Sequence, residues 1–157
     1  MTETIRFQMY IKSEHWDRYP MIDISVDGVI TCQKTLDQSY QIIEFDCVLN
    51  LDRQHTLSIK RYNKSDDQCM IMPDATRKDQ YIIIDKVIID GIDIQNLVWH
   101  RSWFEPDYPE PWAQQQKKSG IELASKIIGE TWLSHNGTWF FEFTSPFYKF
   151  VISQFEE

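Results

Sequence analysis

Period-two alternation runs through most of this chain. In "MIDISVDGVI", Ile22, Ile24 and Val26 fall on one face and Asp23, Ser25 and Asp27 on the other, and Asp27-Gly28 then supplies a hairpin-type turn. "YQIIEFDCVLNL" sets Ile43, Phe45, Cys47 and Leu49 against Glu44, Asp46 and Val48, and "HTLSIKRYN" sets Leu57 and Ile59 against Ser58 and Lys60. "YIIIDKVIIDGIDI" predicts one long bent strand or two, divided at Asp90-Gly91. Near the C-terminus, "GTWFFEFTS" and "FYKFVISQF" predict the last strands, parted by Pro146, with Trp139, Phe141, Phe143, Phe147, Phe150 and Ile152 turned inward. About seven or eight strands at roughly 8–12-residue spacing predict an all-β, jelly-roll-like antiparallel β-sandwich. Only "PWAQQQKKSGIELASKIIG" invites helix, and Gly120 inside it limits the expectation to one short helix. With 157 residues, no internal repeat and no linker, residues 1–157 are expected to form a single domain.

One stretch escapes the pattern. "LVWHRSWFEPDYPEPW" carries Trp99, Trp103, Phe104, Tyr108 and Trp112 together with Glu105, Asp107, Glu110 and three prolines. So many prolines and carboxylates predict a stiffened surface loop over 97–112 rather than a helix or a central strand. Rings in such a loop either fold back as a lid over the open end of the sandwich or face outward. Facing outward, they would stack on sugar rings or anchor a neighbouring protein, since Trp and Tyr dominate interface hot spots.

Composition narrows the function classes. A net charge of −8 opposes phosphate neutralisation, so nucleic acid is not an expected partner. The two Gly-rich nucleotide-binding signatures are missing. Apolar runs are strand-length, well short of the ~20 residues of a spanning helix, so no membrane insertion is expected. The N-terminus shows no basic segment followed by an apolar one, and so no signal peptide. Cys32, Cys47 and Cys69 are far apart and lack a CxxC pair, as expected of free thiols rather than a zinc site.

Catalytic chemistry has little support. His15, His55, His100 and His135 are scattered, and there is no nucleophile elbow. A pair of glycosidase carboxylates cannot be picked out by counting, and the chain is expected not to be an enzyme. The turn "NKSDD" offers oxygen donors at Asn63, Ser65, Asp66 and Asp67, which suit a hard cation such as Ca²⁺ or a plain solvated turn. Asp107 and Glu105 would complete a metal site only if the two segments meet in space.

Four stretches carry a resemblance: "HTLSIKRYNK" at 55–64, "VIIDGIDIQNLVW" at 87–99, "PDYPEPW" at 106–112 and "NGTWFFEFTSPFYKFVI" at 136–152. Together they resemble a small, mostly uncharacterised protein of tailed marine and cyanobacterial phages, over roughly residues 20–152. The likeness departs at "RQH", where Gly-His would be expected before the first of these strands. It implies a non-enzymatic β-sandwich made in the host cytoplasm and built into the virion. On that reading segment 97–112 docks other virion proteins or a host surface glycan, and a homo-oligomer is a further expected state. The strand-then-acidic-loop order is also similar to calcium-dependent carbohydrate-binding modules of the xylan-binding kind. That second resemblance implies Asn63, Asp66 and Asp67 as Ca²⁺ ligands beside a host envelope polysaccharide, with Asp107 a fourth ligand only if its segment meets theirs.

Overall fold

The computed structural model describes residues 1–65 and 70–155. Alternation produces two antiparallel sheets packed face to face. The first is built around β1 (Thr2–Glu14), flanked by β4 (Tyr40–Asn50) and β8 (Tyr81–Ile89). β9 (Ile92–Asp93) and β12 (Trp132–Leu133) both pair with β8. The "YIIIDKVII" strand therefore sits inside a sheet, as its unbroken apolar face requires. The second sheet runs β11 (Ile127–Ile128), β10 (Ser102–Pro106), β13 (Gly137–Ser145), β5 (Arg53–Tyr62), β2 (Met21–Val26), β3 (Val29–Thr35). A small hairpin of β6 (Met70–Ile71) and β7 (Arg77–Lys78) stands apart.

The inward set is the expected one. Ile22, Ile24, Val26, Leu57, Ile59, Trp139, Phe141 and Phe143 are buried, facing Ile5, Phe7, Met9 and Ile11 of β1 across the core. Each buried apolar side chain contributes about 1.5–3 kcal/mol relative to exposure. His55 is enclosed at the core margin, with Nδ1 2.6 Å from Asp27 Oδ2 and Nε2 2.8 Å from the Asn50 carbonyl. It ties the β2–β3 turn to the end of β4 and serves the fold. Cys32 and Cys47 are free and half-buried, whereas Cys69 lies outside the described residues.

Three departures from the sequence reading matter. Among the described residues there are three helices rather than one: α1 (Gln95–Arg101), α2 (Trp112–Lys118) and α3 (Phe147–Phe155). α2 is the expected helix, and Gly120 is its stop signal. The Gly120 amide bonds the Lys117 carbonyl and the Ile121 amide bonds that of Gln116, closing the last turn with Gly120 at φ +82. α3 replaces the strand expected over "FYKFVISQF". Phe147, Phe150 and Val151 are buried at helical spacing, and Ile152, which the strand reading turned inward, is 54% exposed. Its first turn is held by Glu3 of β1, whose carboxylate accepts from the Phe147 amide at 2.9 Å and from the Ser145 hydroxyl.

Nor is segment 97–112 one loop. α1 buries Leu97 and Val98, the Ser102 hydroxyl donates to the Val98 carbonyl, and β10 then runs between β11 and β13. The strand survives because Pro106 stands at its last paired position, opposite Gly137.

Candidate functional site

A cavity of about 460 Å³ opens at one end of the sandwich, within the range of small-ligand sites. Four segments converge on it: the turn after β5, Arg77 and Asp79, the stretch from Pro106 into α2, and Ser134–Asn136 before β13. Asn136 fastens its own segment to the turn after β5 and to the Asp107 stretch. Its Oδ1 accepts from the Lys64 amide at 3.1 Å, its Nδ2 donates to the Lys64 carbonyl at 2.7 Å, and its own carbonyl accepts from the Asp107 amide at 2.6 Å. Gly137 lets β13 start this close to β10, since a Cβ there would lie 2.4 Å from the Glu105 carbonyl oxygen. The turn after β5 and the Asp107 segment therefore do meet in space.

Beneath Asn136 lies Arg61, fully buried. Its guanidinium donates to Gln80 Oε1 at 2.7 Å and more weakly to Asn136 Oδ1 at 3.4 Å. Burial lowers its pKa to about 10, against the pull of Asp79, so it stays cationic at neutral pH. On the cavity wall, Lys64 Nζ donates to Asp79 Oδ1 at 2.7 Å and to the Ser134 carbonyl at 2.5 Å, while Arg77 approaches Asp79 Oδ2 at 3.4 Å. Lys64 and Arg77 thus balance Asp79 and Asp107, two cations against two carboxylates, and the lining has no net formal charge. His135 adds none. Burial first, then Lys64 and Arg61, push its pKa below the usual histidine value, leaving a neutral imidazole at pH 7.

The other wall is aromatic. Trp112, Tyr108 and His135 form a mutual cluster, with ring centres 6.0 Å apart for Tyr108–Trp112, 5.0 Å for Tyr108–His135 and 5.4 Å for Trp112–His135. Tyr108 is anchored by donating to the Ala124 carbonyl at 2.6 Å. Pro109 and Pro111 frame Trp112, fixing the approach of the chain to α2.

Of the residues singled out from sequence, Asp107, Tyr108 and Trp112 come together here. The other three rings go elsewhere. Phe104 is a core residue at 2% exposure. Trp103 stands on the outer face of the second sheet, stacked on Phe140 at 5.2 Å with Lys126 Nζ 4.4 Å from its centre. Trp99 projects from α1, 64% exposed and away from the cavity. The five rings therefore do not form one surface, because helix, strand and loop each send theirs in a different direction. Glu105 is paired on β10, opposite Thr138. Asn63 turns away, its Nδ2 donating to the Tyr19 carbonyl at 2.9 Å. Asp66 and Asp67 lie outside the described residues.

As for a metal, no group of three or more His, Cys, Asp or Glu is gathered among the described residues. Asp79 is committed to two cations, and Asp107 is the other carboxylate on the described wall. Lys64, Asp79, His135 and Asn136 were not singled out from sequence. "HNGT" carries the signal of a tight turn and nothing more, and the role of Asn136 depends on contacts with residues such as Lys64, 72 positions away.

The chain matches no protein-family model and no curated protein. Among solved structures it is similar to vCBM60 in complex with galactobiose, at 12% identity and a TM-score of 0.51, over 87% of this chain and 96% of that one. It is also similar to the selenomethionine form of vCBM60, at 11% identity and a TM-score of 0.53, over 87% and 89%. The latter is described with an evolutionary link, by circular permutation, between two families of calcium-dependent carbohydrate-binding modules. At such identities the likeness establishes a shared fold, a two-sheet antiparallel β-sandwich.

Proposed function

We propose that the chain is a non-catalytic glycan-binding protein, and that its cavity takes a short neutral oligosaccharide. One observation carries the reading: an aromatic wall and a charge-balanced hydrogen-bonding wall face each other in one cavity of this fold. A pyranose ring has an apolar face and a rim of hydroxyls. Trp112 offers the flat apolar partner. Asp107, Asn136, Gln115 and Ser134 offer donors and acceptors for the rim. The absence of net charge in the lining favours a neutral sugar over an acidic one. Much of the site is held before any ligand arrives, which lowers the ordering cost of binding.

Calcium belongs to the same proposal. A Ca²⁺ ion held by Asp107 together with Asp66 and Asp67, which lie outside the described residues, would supply vacant coordination positions for sugar hydroxyls. The calcium dependence named for the structural relatives supports this part.

The test is titration calorimetry of the intact chain against a panel of neutral oligosaccharides, starting with galactobiose, with Ca²⁺ and with a chelator. The expected result is saturable binding that weakens when calcium is removed. A panel that gives no heat in either condition, from a chain shown to be folded, sinks the proposal. Binding that is indifferent to the chelator removes calcium and leaves the cavity.

A further inference from the structure

The edge strand β4 reads almost the same from either end. About Phe45, the sequence "QIIEFDCVL" places Glu44 against Asp46, Ile43 against Cys47 and Ile42 against Val48. An antiparallel pairing of this strand with a second copy, about a two-fold axis at Phe45, would bring those residues opposite one another. On the outer face Ile42 would meet Val48 of the other copy, twice. On the inner face Ile43 would meet Cys47, and Phe45 would meet itself.

Several observations on this edge converge. β4 ends its sheet, and no described residue pairs with its free side. It runs in unbroken register with β1 over eleven pairs, from Tyr40–Lys12 to Asn50–Thr2, with neither a bulge nor a proline to protect it. Of the two edge strands of the other sheet, the longer, β3, has such protection, because its pairing with β2 shifts register between Ile24 and Ser25. Ile42 and Val48 are 49% and 64% exposed, large values for aliphatic side chains on a sheet. Phe45 and Cys47 point into the core but are only half-buried, so the seam beside β4 is left partly open.

The central acids decide whether the pairing is feasible. Glu44 opposite Asp46 would be a like-charge pair. Both carboxylates are already drawn back toward β1. Arg6 holds Glu44 at 2.5 Å and Asp46 at 3.2 Å, and Gln8 donates to Glu44 at 2.9 Å. Arg6 thus neutralises the one repulsive position in an otherwise apolar, self-complementary register.

We propose that the chain forms a two-fold homodimer by antiparallel β4–β4 pairing centred on Phe45, joining the two five-stranded sheets into one. The symmetry is isologous, which is what a pseudo-palindromic edge supplies and a partner of unrelated sequence would not need. The proposal stands on β4 alone and is independent of the glycan reading.

Sedimentation equilibrium of the intact chain should give a dimer. Val48→Lys, which alters an exposed position only, should shift it to monomer with its melting temperature kept to within a few degrees. Arg6→Ala should raise the dimer dissociation constant at least ~10-fold through unscreened Glu44–Asp46 repulsion. Should Val48→Lys fail to fold, hydrogen exchange on the native chain decides. Amides of residues 41–49 should gain protection as the chain is concentrated from the monomer range into the dimer range. A chain that stays monomeric at every accessible concentration overturns the proposal. So does a dimer that Val48→Lys leaves intact, or one whose concentration-dependent protection falls outside β4.

Discussion

Two aromatic-rich regions of this molecule behave in opposite ways. In β13, Trp139, Phe141 and Phe143 point inward at strict alternation, each 1% exposed or less, while Phe140 and Glu142 point out. Between Leu97 and Trp112 the same residue types scatter. Phe104 is core, Trp103 is stacked on the sheet surface, Trp99 is in solvent, Trp112 lines a cavity, and Tyr108 packs against Trp112. An aromatic ring has no role of its own. The parity of a long strand assigns one, and where elements change every few residues the assignment is made by contacts from elsewhere in the chain.

The contrast can be broken most sharply at Phe141. Phe141→Ala should cost about 3–5 kcal/mol of stability, read as a lowered urea midpoint, because it opens a cavity in a fully enclosed site. If the loss is under ~1 kcal/mol, β13 is not the core strand described here.

Trp112→Ala should do the reverse. It should leave stability within ~1 kcal/mol of the parent while weakening oligosaccharide binding at least ~10-fold. A variant that unfolds would make Trp112 structural and align it with β13.

A pH series separates the cavity from the core more gently. The folded pKa of His135 is lowered, chiefly by burial, so the unfolded chain takes up the proton first as pH falls. Stability contributed by the neutral imidazole is complete above the unfolded value of ~6.5 and is lost as pH drops from there toward the folded value. The melting temperature should therefore fall more between pH 7.5 and 5.5 in the parent than in His135→Asn. Equal slopes would show that His135 is not buried as described.

Trp99→Ala should have the smallest effect, within ~0.5 kcal/mol in stability and none in oligosaccharide binding, since the ring touches neither core nor cavity. A large loss of binding there would return the ligand site to α1.

The fold was legible wherever one face of a strand is buried and the other wet. Ile22, Ile24, Val26, Leu57, Ile59, Phe141 and Phe143 all lie where their alternation puts them. α3 was not legible as a helix, because the group that holds its start, Glu3, lies more than 140 residues away. β10 was hidden by the prolines at its end and just beyond it, although Pro106 occupies a terminal strand position that tolerates it.

The site was legible in part. Asp107, Tyr108 and Trp112 announce themselves by residue type, and the need for the acidic turn and the Asp107 segment to meet was visible. That Asn136 joins them, and that Lys64, Asp79 and His135 complete the lining, follows from a tertiary arrangement that no local spacing encodes. The virion placement rests on the phage resemblance alone, whereas the glycan proposal rests on the lining of the cavity.

The six tryptophans give one direct test of where a ligand sits. In a ¹⁵N-labelled chain, the indole N–H signals should be followed while galactobiose, or the best oligosaccharide from the panel, is added in the presence of Ca²⁺. The Trp112 signal should move with saturable dependence on ligand, together with the backbone amides of His135 and Asn136, while Trp99, Trp103 and Trp132 stay in place. Saturable movement at Trp99, Trp103 or Trp132 with Trp112 unmoved would contradict the proposed site.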